Sequence, residues 1–208
     1  MQMVALARPD DVTSVGATVL RSTSGSVIPL LFDRWTAAPS VAEMAVLDRA
    51  VEPVLDVGCG PGRHVTELAA RGLLALGIDV SSDAVALAER RGSIVLQRSV
   101  FERLPNEGRW RTALLLDGNI GIGGDSASLL RRLREVMAPH GAVLVEVESP
   151  GATTSVETVR VESMGATGPW FEWARVSIDD VDAIAAQARF ERTWTYEEEG
   201  RWFVQLTL

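Results

Sequence analysis

Three glycines at alternate positions, Gly58, Gly60 and Gly62, stand between an apolar run, Val54-Leu55-Asp56-Val57, and the helical pattern RHVTELAARG. Strand, glycine turn and helix together bring backbone N–H groups and the positive end of a helix dipole against a ligand. A side chain at the glycines would hold that ligand away from the backbone. The chemistry is binding of a nucleotide-type molecule. Two further acids, Asp79 and Asp117, each close an apolar run downstream. In a parallel sheet such run ends share one edge, where ligands bind at the point of strand-order reversal. That edge would gather Asp56 to Arg63, Asp79, Ser99 to Phe101, Asp117 to Gly121 and Glu148. The dinucleotide pattern G-x-G-x-x-G fits poorly, because its sixth position here is Arg63 and Asp56 precedes the turn.

Other chemistries find little support. Cys59 is the single cysteine, so no internal disulfide forms, and no base stands beside it to activate it as a nucleophile. No His/Asp/Glu group has metal-ligand spacing, and no metal is expected. His140 precedes a strand and belongs to the opposite edge of the sheet. The net charge is −8, and all 20 basic residues are arginine. Arg131, Arg132 and Arg134 lie on a helical pattern beside Glu135, a solvated face rather than a grip on phosphates, so no nucleic acid is expected. No apolar run approaches the ~18 residues of a membrane helix. The opening MQMVALARPDD lacks a secretory layout, so a cytoplasmic location without membrane attachment is expected.

The elements that would position the edge follow from punctuation and periodicity. Ser40 and Glu43 form a capping box before the apolar face of Val41, Met44, Val46 and Leu47. Strand 53–57 leads to helix 63–71, stopped by Gly72, and LLALGID is a second strand. Ser81 or Ser82 caps SDAVALAERR, and SIVLQRSV is a third strand. TALLLD, 112–117, is apolar throughout, as a strand covered on both faces should be. Asp125 caps SASLLRRLREVM, and AVLVEVE is the fifth strand. The two dozen residues that follow read as a loop holding Trp170 and Trp173, and loops of that length serve as lids or binding segments. Ser177 caps a last helix, and the chain ends in a hairpin around Gly200.

VLDVGCGPG resembles motif I of the class I S-adenosylmethionine-dependent methyltransferases nearly letter for letter, and LGIDVS looks like the end of that family's second strand. The resemblance covers about residues 50 to 148. It implies an α/β Rossmann-like fold with a mostly parallel seven-stranded sheet, an antiparallel C-terminal hairpin strand and helices on both faces. Residues 40–208 would form one domain, with residues 1–39 covering the active site. The implied cofactor is S-adenosyl-L-methionine, the product S-adenosyl-L-homocysteine, and the acceptor a small-molecule oxygen, nitrogen or carbon nucleophile, with secondary metabolism as a setting. A monomer or homodimer is expected.

The resemblance also implies roles. Asp79, with Val80 beside it, would accept the ribose hydroxyls. The turn Asp56, Gly58, Cys59, Gly60 and Gly62 would hold the methionine part, with Arg63 or His64 at its carboxylate, unless Arg63 faces solvent. The adenine would meet Ser99, Val100 and Phe101, where many members carry an acid. Asp117, Gly118 and Asn119 replace the Asn/Asp-Pro-Pro-aromatic motif of nucleic-acid and amine methyltransferases. Asn119 either contacts the reactants or stabilises its own turn. Glu148 is the candidate general base. Phe32, Arg34, Trp35, Trp170 and Trp173 are candidates for the acceptor wall, with core packing the alternative for the tryptophans. A cyclase-like use of the bound sulfonium, or a nicotinamide-dependent oxidoreductase, remains as the other reading.

Overall fold

The computed structural model describes residues 18–30, 32–163 and 166–208. Residues 54–115 build the parallel half of a sheet from β3 (Val54–Val57), β4 (Ala75–Asp79), β5 (Val95–Gln97) and β6 (Trp110–Leu115). The sheet continues through β7 (Met137–Val147), β11 (Glu191–Glu198) and β12 (Arg201–Thr207), in the order β11-β12-β7-β6-β3-β4-β5. Strand β12 runs antiparallel to both β7 and β11. Strand order therefore reverses between β3 and β6, which places the ligand crevice at their carboxyl ends.

Helices cover both faces. On one side α2 (Val41–Leu47), α3 (Arg63–Ala70) and α4 (Ser82–Arg90) bury Val46, Leu47, Val65, Leu68 and Ala88. On the other α5 (Ser126–Val136) and α6 (Val181–Gln187) bury Leu129, Leu133, Val181 and Ala185. Ser40 and Glu43 form the expected capping box of α2. The last helix starts later than expected: Ser177 accepts from Asp179 N in the preceding turn, and α6 begins at Val181. Strand β7 begins at Met137, ahead of Gly141, because Met137 already pairs with Trp110.

The stretch after β7 is not a loop. Strands β8 (Ser155–Ser163), β9 (Ala166–Thr167) and β10 (Phe171–Arg175) form a second, antiparallel sheet with β1 (Val19–Ser22) and β2 (Val27–Pro29), ordered β10-β8-β1-β2 with β9 on β8. Leu20, Val159 and Trp173 on its inner face join the α5/α6 core. A short helix, α1 (Phe32–Thr36), then leads from β2 toward the crevice. Among the described residues no helix is long and apolar enough to cross a membrane.

Candidate functional site

Asp79 ends β4 with its side chain buried at 2% exposure. Its Oδ2 accepts from Gly60 N at 3.0 Å and its Oδ1 from Ser81 N at 2.8 Å. A carboxylate has about four lone-pair sites, so two remain for a ligand. Burial pushes its pKa up to about 6 against the pull of those two backbone donors. The group is held in place at some cost to its charge.

The glycine turn works differently from the expectation. Gly58 N and Cys59 N both donate to Ile78 O, and Gly60 N is spent on Asp79. These three donors are therefore occupied by the fold, and the turn offers a ligand close backbone approach instead. Gly58 adopts φ +71°, and a Cβ there would lie 2.7 Å from Asn119 Nδ2. That nitrogen donates to Val57 O at 2.8 Å and Gly58 O at 3.0 Å, so Asn119 clamps the end of β3 and its amide is engaged there. Gly62 has φ +76° and abuts Ser93 Oγ.

Two clefts meet at Gly58. One is lined by Val57, Gly58, Ile78, Asp79, Val80, Arg98, Ser99, Val100 and Ile122. The other is lined by Trp35, Gly58, Cys59, Gly60, Pro61, Arg63, Asp117 and Asn119. The structure thus brings most of the expected cofactor residues to one crevice. Cys59 is buried and its thiol pKa is raised by burial and by Asp56 and Asp79, so it stays protonated. Gly118, at φ +79°, turns the chain between Asp117 and the 3-10 turn Asn119–Gly121.

Several expectations change. Asp56 and His64 line neither cleft; both are buried beneath the turn, with His64 Nδ1 3.7 Å from Asp56 Oδ2. Arg63 does not face solvent: it is 5% exposed. Phe101 is half exposed and packs beside Gly123 rather than in the cleft. Glu148 accepts from Arg175 Nε at 3.0 Å, and its backbone bonds Val176 and Ile178, so it ties the two sheets together instead of standing free as a base. Trp170 is exposed under the Arg160 guanidinium, 4.5 Å away. Trp173 is buried against Gly121, in keeping with core packing. Trp35 lines the second cleft and Arg34 stands beside it; the side chain of Phe32 lies outside the described residues.

The largest feature that the sequence did not announce is an ionic cluster under the second cleft. Arg63 grips Glu43 with two hydrogen bonds, of 2.9 and 2.7 Å, and Asp117 with a third of 2.5 Å. Arg201 donates to Glu43 at 2.8 Å and takes both oxygens of Glu146 at 2.8 and 2.7 Å. Arg34 lies 3.5 Å from both Glu43 and Asp117. With Asp56 and His64 this makes four carboxylates against three guanidiniums and one imidazole. The balance closes when His64 is protonated. Burial alone would lower the His64 pKa, but Asp56 and Glu43 raise it to about 9. Glu43, fully buried, is held well below the usual carboxylate range by His64, Arg201 and Arg63, which overcome its desolvation. Arg63 and Arg201 likewise outweigh any metal reading of the Glu43–His64–Asp117 group, because their N–H donors already occupy its carboxylates.

A raised histidine pKa contributes stability that is complete below the unfolded value of about 6.5 and lost as pH rises through about 9. The shift corresponds to about 3 kcal/mol. Melting temperature is therefore expected to fall between pH 6.5 and 9.5, and His64→Gln to flatten that slope. An unchanged slope in the variant would assign the pH dependence elsewhere.

The strand order and the crevice at its reversal define a Rossmann-like α/β fold. Residues 54–141 match the family model described as a methyltransferase domain. That match takes in the glycine turn, Asp79 and Asp117, and it is the part of the chain that is similar to methyltransferases. The chain is 29% identical over 123 residues to an uncharacterized protein of Mycobacterium bovis, covering 55% of this chain and 41% of that one. It is also 29% identical over 139 residues to trans-aconitate 2-methyltransferase of Paracidovorax citrulli, covering 65% and 51%. The chain thus spans about half the length, or less, of these curated relatives. Among solved structures, an S-adenosylmethionine-dependent methyltransferase from Bacteroides fragilis, in complex with S-adenosyl-L-homocysteine, superposes with TM-score 0.80 at 20% identity over 94% of this chain and 89% of that one. The 1,6-didemethyltoxoflavin-N1-methyltransferase of Burkholderia thailandensis superposes with TM-score 0.57 at 17% identity, over 74% and 69%.

Proposed function

We propose that the protein transfers the methyl group of S-adenosylmethionine to a small-molecule nucleophile. The observation that carries this reading is Asp79: a buried carboxylate with two lone-pair sites left over, at the mouth of a cleft beside a turn too tight for side chains. Two ribose hydroxyls fit those sites as donors to an ionised acceptor. The adenine would lie against Val80, Ser99 and Val100, and the methionine part against Gly58 to Pro61. Its ammonium suits Asp117, an acceptor kept ionised by Arg63 and His64 despite its burial, while Arg63, whose donors Glu43 and Asp117 occupy, holds that acceptor in place.

When bound, the cofactor supplies an already activated methyl group, so the chain contributes chiefly orientation and exclusion of water. Trp35 and Arg34, from the segment preceding residue 40, would close the reacting end, and residues 40–208 would supply the cofactor domain. Related proteins act on small molecules such as trans-aconitate and 1,6-didemethyltoxoflavin, which supports an acceptor of that size.

The test is a thermal-shift panel with S-adenosylmethionine, S-adenosylhomocysteine and NAD(H). A ligand at ~100 times its Kd adds about 2.7 kcal/mol, and the two sulfur compounds are expected to do so. A shift with NAD(H) alone would overturn the proposal. Release of S-adenosylhomocysteine with an acceptor present separates methyl transfer from cyclase-like chemistry.

A further inference from the structure

Strand β5 is the outer edge of the seven-stranded sheet, and the chain that follows it, residues 98–109, folds back to leave an open groove. Three arginines line it, Arg98, Arg103 and Arg109, over apolar surface from Leu96 and Leu104. The groove's acid, Glu107, is already committed: it accepts from Leu104 N and from the Arg132 guanidinium. Arg98 donates through Nη1 to the Arg103 carbonyl at 2.8 Å, a bond that fixes its position and leaves its charge unbalanced. None of the three forms a close ion pair with a carboxylate among the described residues, although Arg103 acts on Glu107 through space. This is notable in a chain of net charge −8, whose acids outnumber its bases by 28 to 20.

We propose that this groove binds a small polyanion, a ligand carrying phosphate or carboxylate groups, and that Arg98 links its occupancy to the adenine end of the cofactor cleft. Guanidinium forks match the paired oxygens of both anion types. Like charges that line one groove repel one another until an anion joins them. The link follows from shared lining: Arg98 borders both the groove and the cleft that holds Asp79, Ser99 and Val100. A ligand that takes the Arg98 guanidinium from the Arg103 carbonyl shifts a side chain that also borders the cleft, and the coupling must be reciprocal. Only this second part rests on the cofactor reading above; the groove stands without it.

The experiment is calorimetric titration of the full chain with inorganic pyrophosphate, and separately with citrate, at constant ionic strength. Saturable 1:1 binding of at least one anion is expected, and which of them binds identifies the phosphate or carboxylate class. The double variant Arg103→Gln/Arg109→Gln changes two exposed side chains and is expected to weaken binding at least tenfold with an unchanged circular dichroism spectrum. If neither anion saturates, or if the double variant binds like the parent, the site is refuted. Repeating the S-adenosylhomocysteine titration with saturating anion should change its Kd severalfold, and Arg98→Gln should abolish that change. An unaltered Kd overturns the link alone. Failure of S-adenosylhomocysteine to bind at all counts against the cofactor assignment, while the anion isotherm still decides the groove.

Discussion

Asp79→Ala is expected to weaken S-adenosylhomocysteine binding at least about a hundredfold, since hydrogen bonds to a charged group contribute about 1.5–3 kcal/mol each and two would be lost. The ligand-free protein should melt within a few degrees of the parent, because two effects oppose each other. The variant strands Gly60 N and Ser81 N without their acceptor, but it also removes a charge that burial disfavours. The same raised pKa sets a pH signature. An acid titrating near 6 in the fold and near 3.8 in the unfolded chain costs about 3 kcal/mol above pH 6, a cost relieved as pH falls toward 4. Acidification through pH 6 is therefore expected to weaken cofactor binding while easing this site in the free protein. Isothermal titration from pH 5 to 8 measures it. Equal affinity for parent and variant at pH 8 would rule out the ribose role.

Glu43→Ala is expected to be the most damaging single change to stability. Removing one partner from a buried ionic group costs about 3–5 kcal/mol, because the charges left behind are buried and unpaired. Here Arg63, Arg201 and a protonated His64 would all lose a partner. At 2–4 °C per kcal/mol for a domain of this size, the melting temperature should drop on the order of 10 °C. The contrast is Arg21→Ala on the second sheet, whose 2.7 Å pair with Glu162 leaves the arginine side chain 40% exposed. Exposed pairs contribute about 0–1 kcal/mol. If both variants lose the same small amount, the cluster is not the framework of the site.

The parallel half of the first sheet was legible in the sequence because its signals are local. Val54–His64 carries strand, turn and helix start within eleven residues, and Asp79 ends an unbroken apolar strand. The hairpin around Gly200 is local in the same way. The second sheet was legible only in part. Thr158 to Glu162 alternates as a strand should, but Glu157 faces inward opposite Trp173 and breaks the pattern. Its other neighbour, β1, lies far upstream. The ionic cluster had even less to announce it. Glu43 reads fully as a helix cap, which it is, and nothing within the α2 pattern points to arginines at positions 63 and 201. Glu146, an acid within the apolar run AVLVEVE, was the one visible anomaly, and it marks where Arg201 docks.

The pairing of β1 with β8 also bears on how the chain is made. Thr18 bonds Ser163, 145 residues away, and Arg21 bonds Glu162, 141 residues away. At about 5–20 residues per second, a ribosome takes roughly 7 to 30 s to cover that distance. Throughout that interval Leu20 has no β8 partner to cover it, whereas β3, β4 and β6 can already pair with one another. The parallel half of the first sheet is thus available for assembly during synthesis, and the second sheet is completed only after β8 and β10 have emerged.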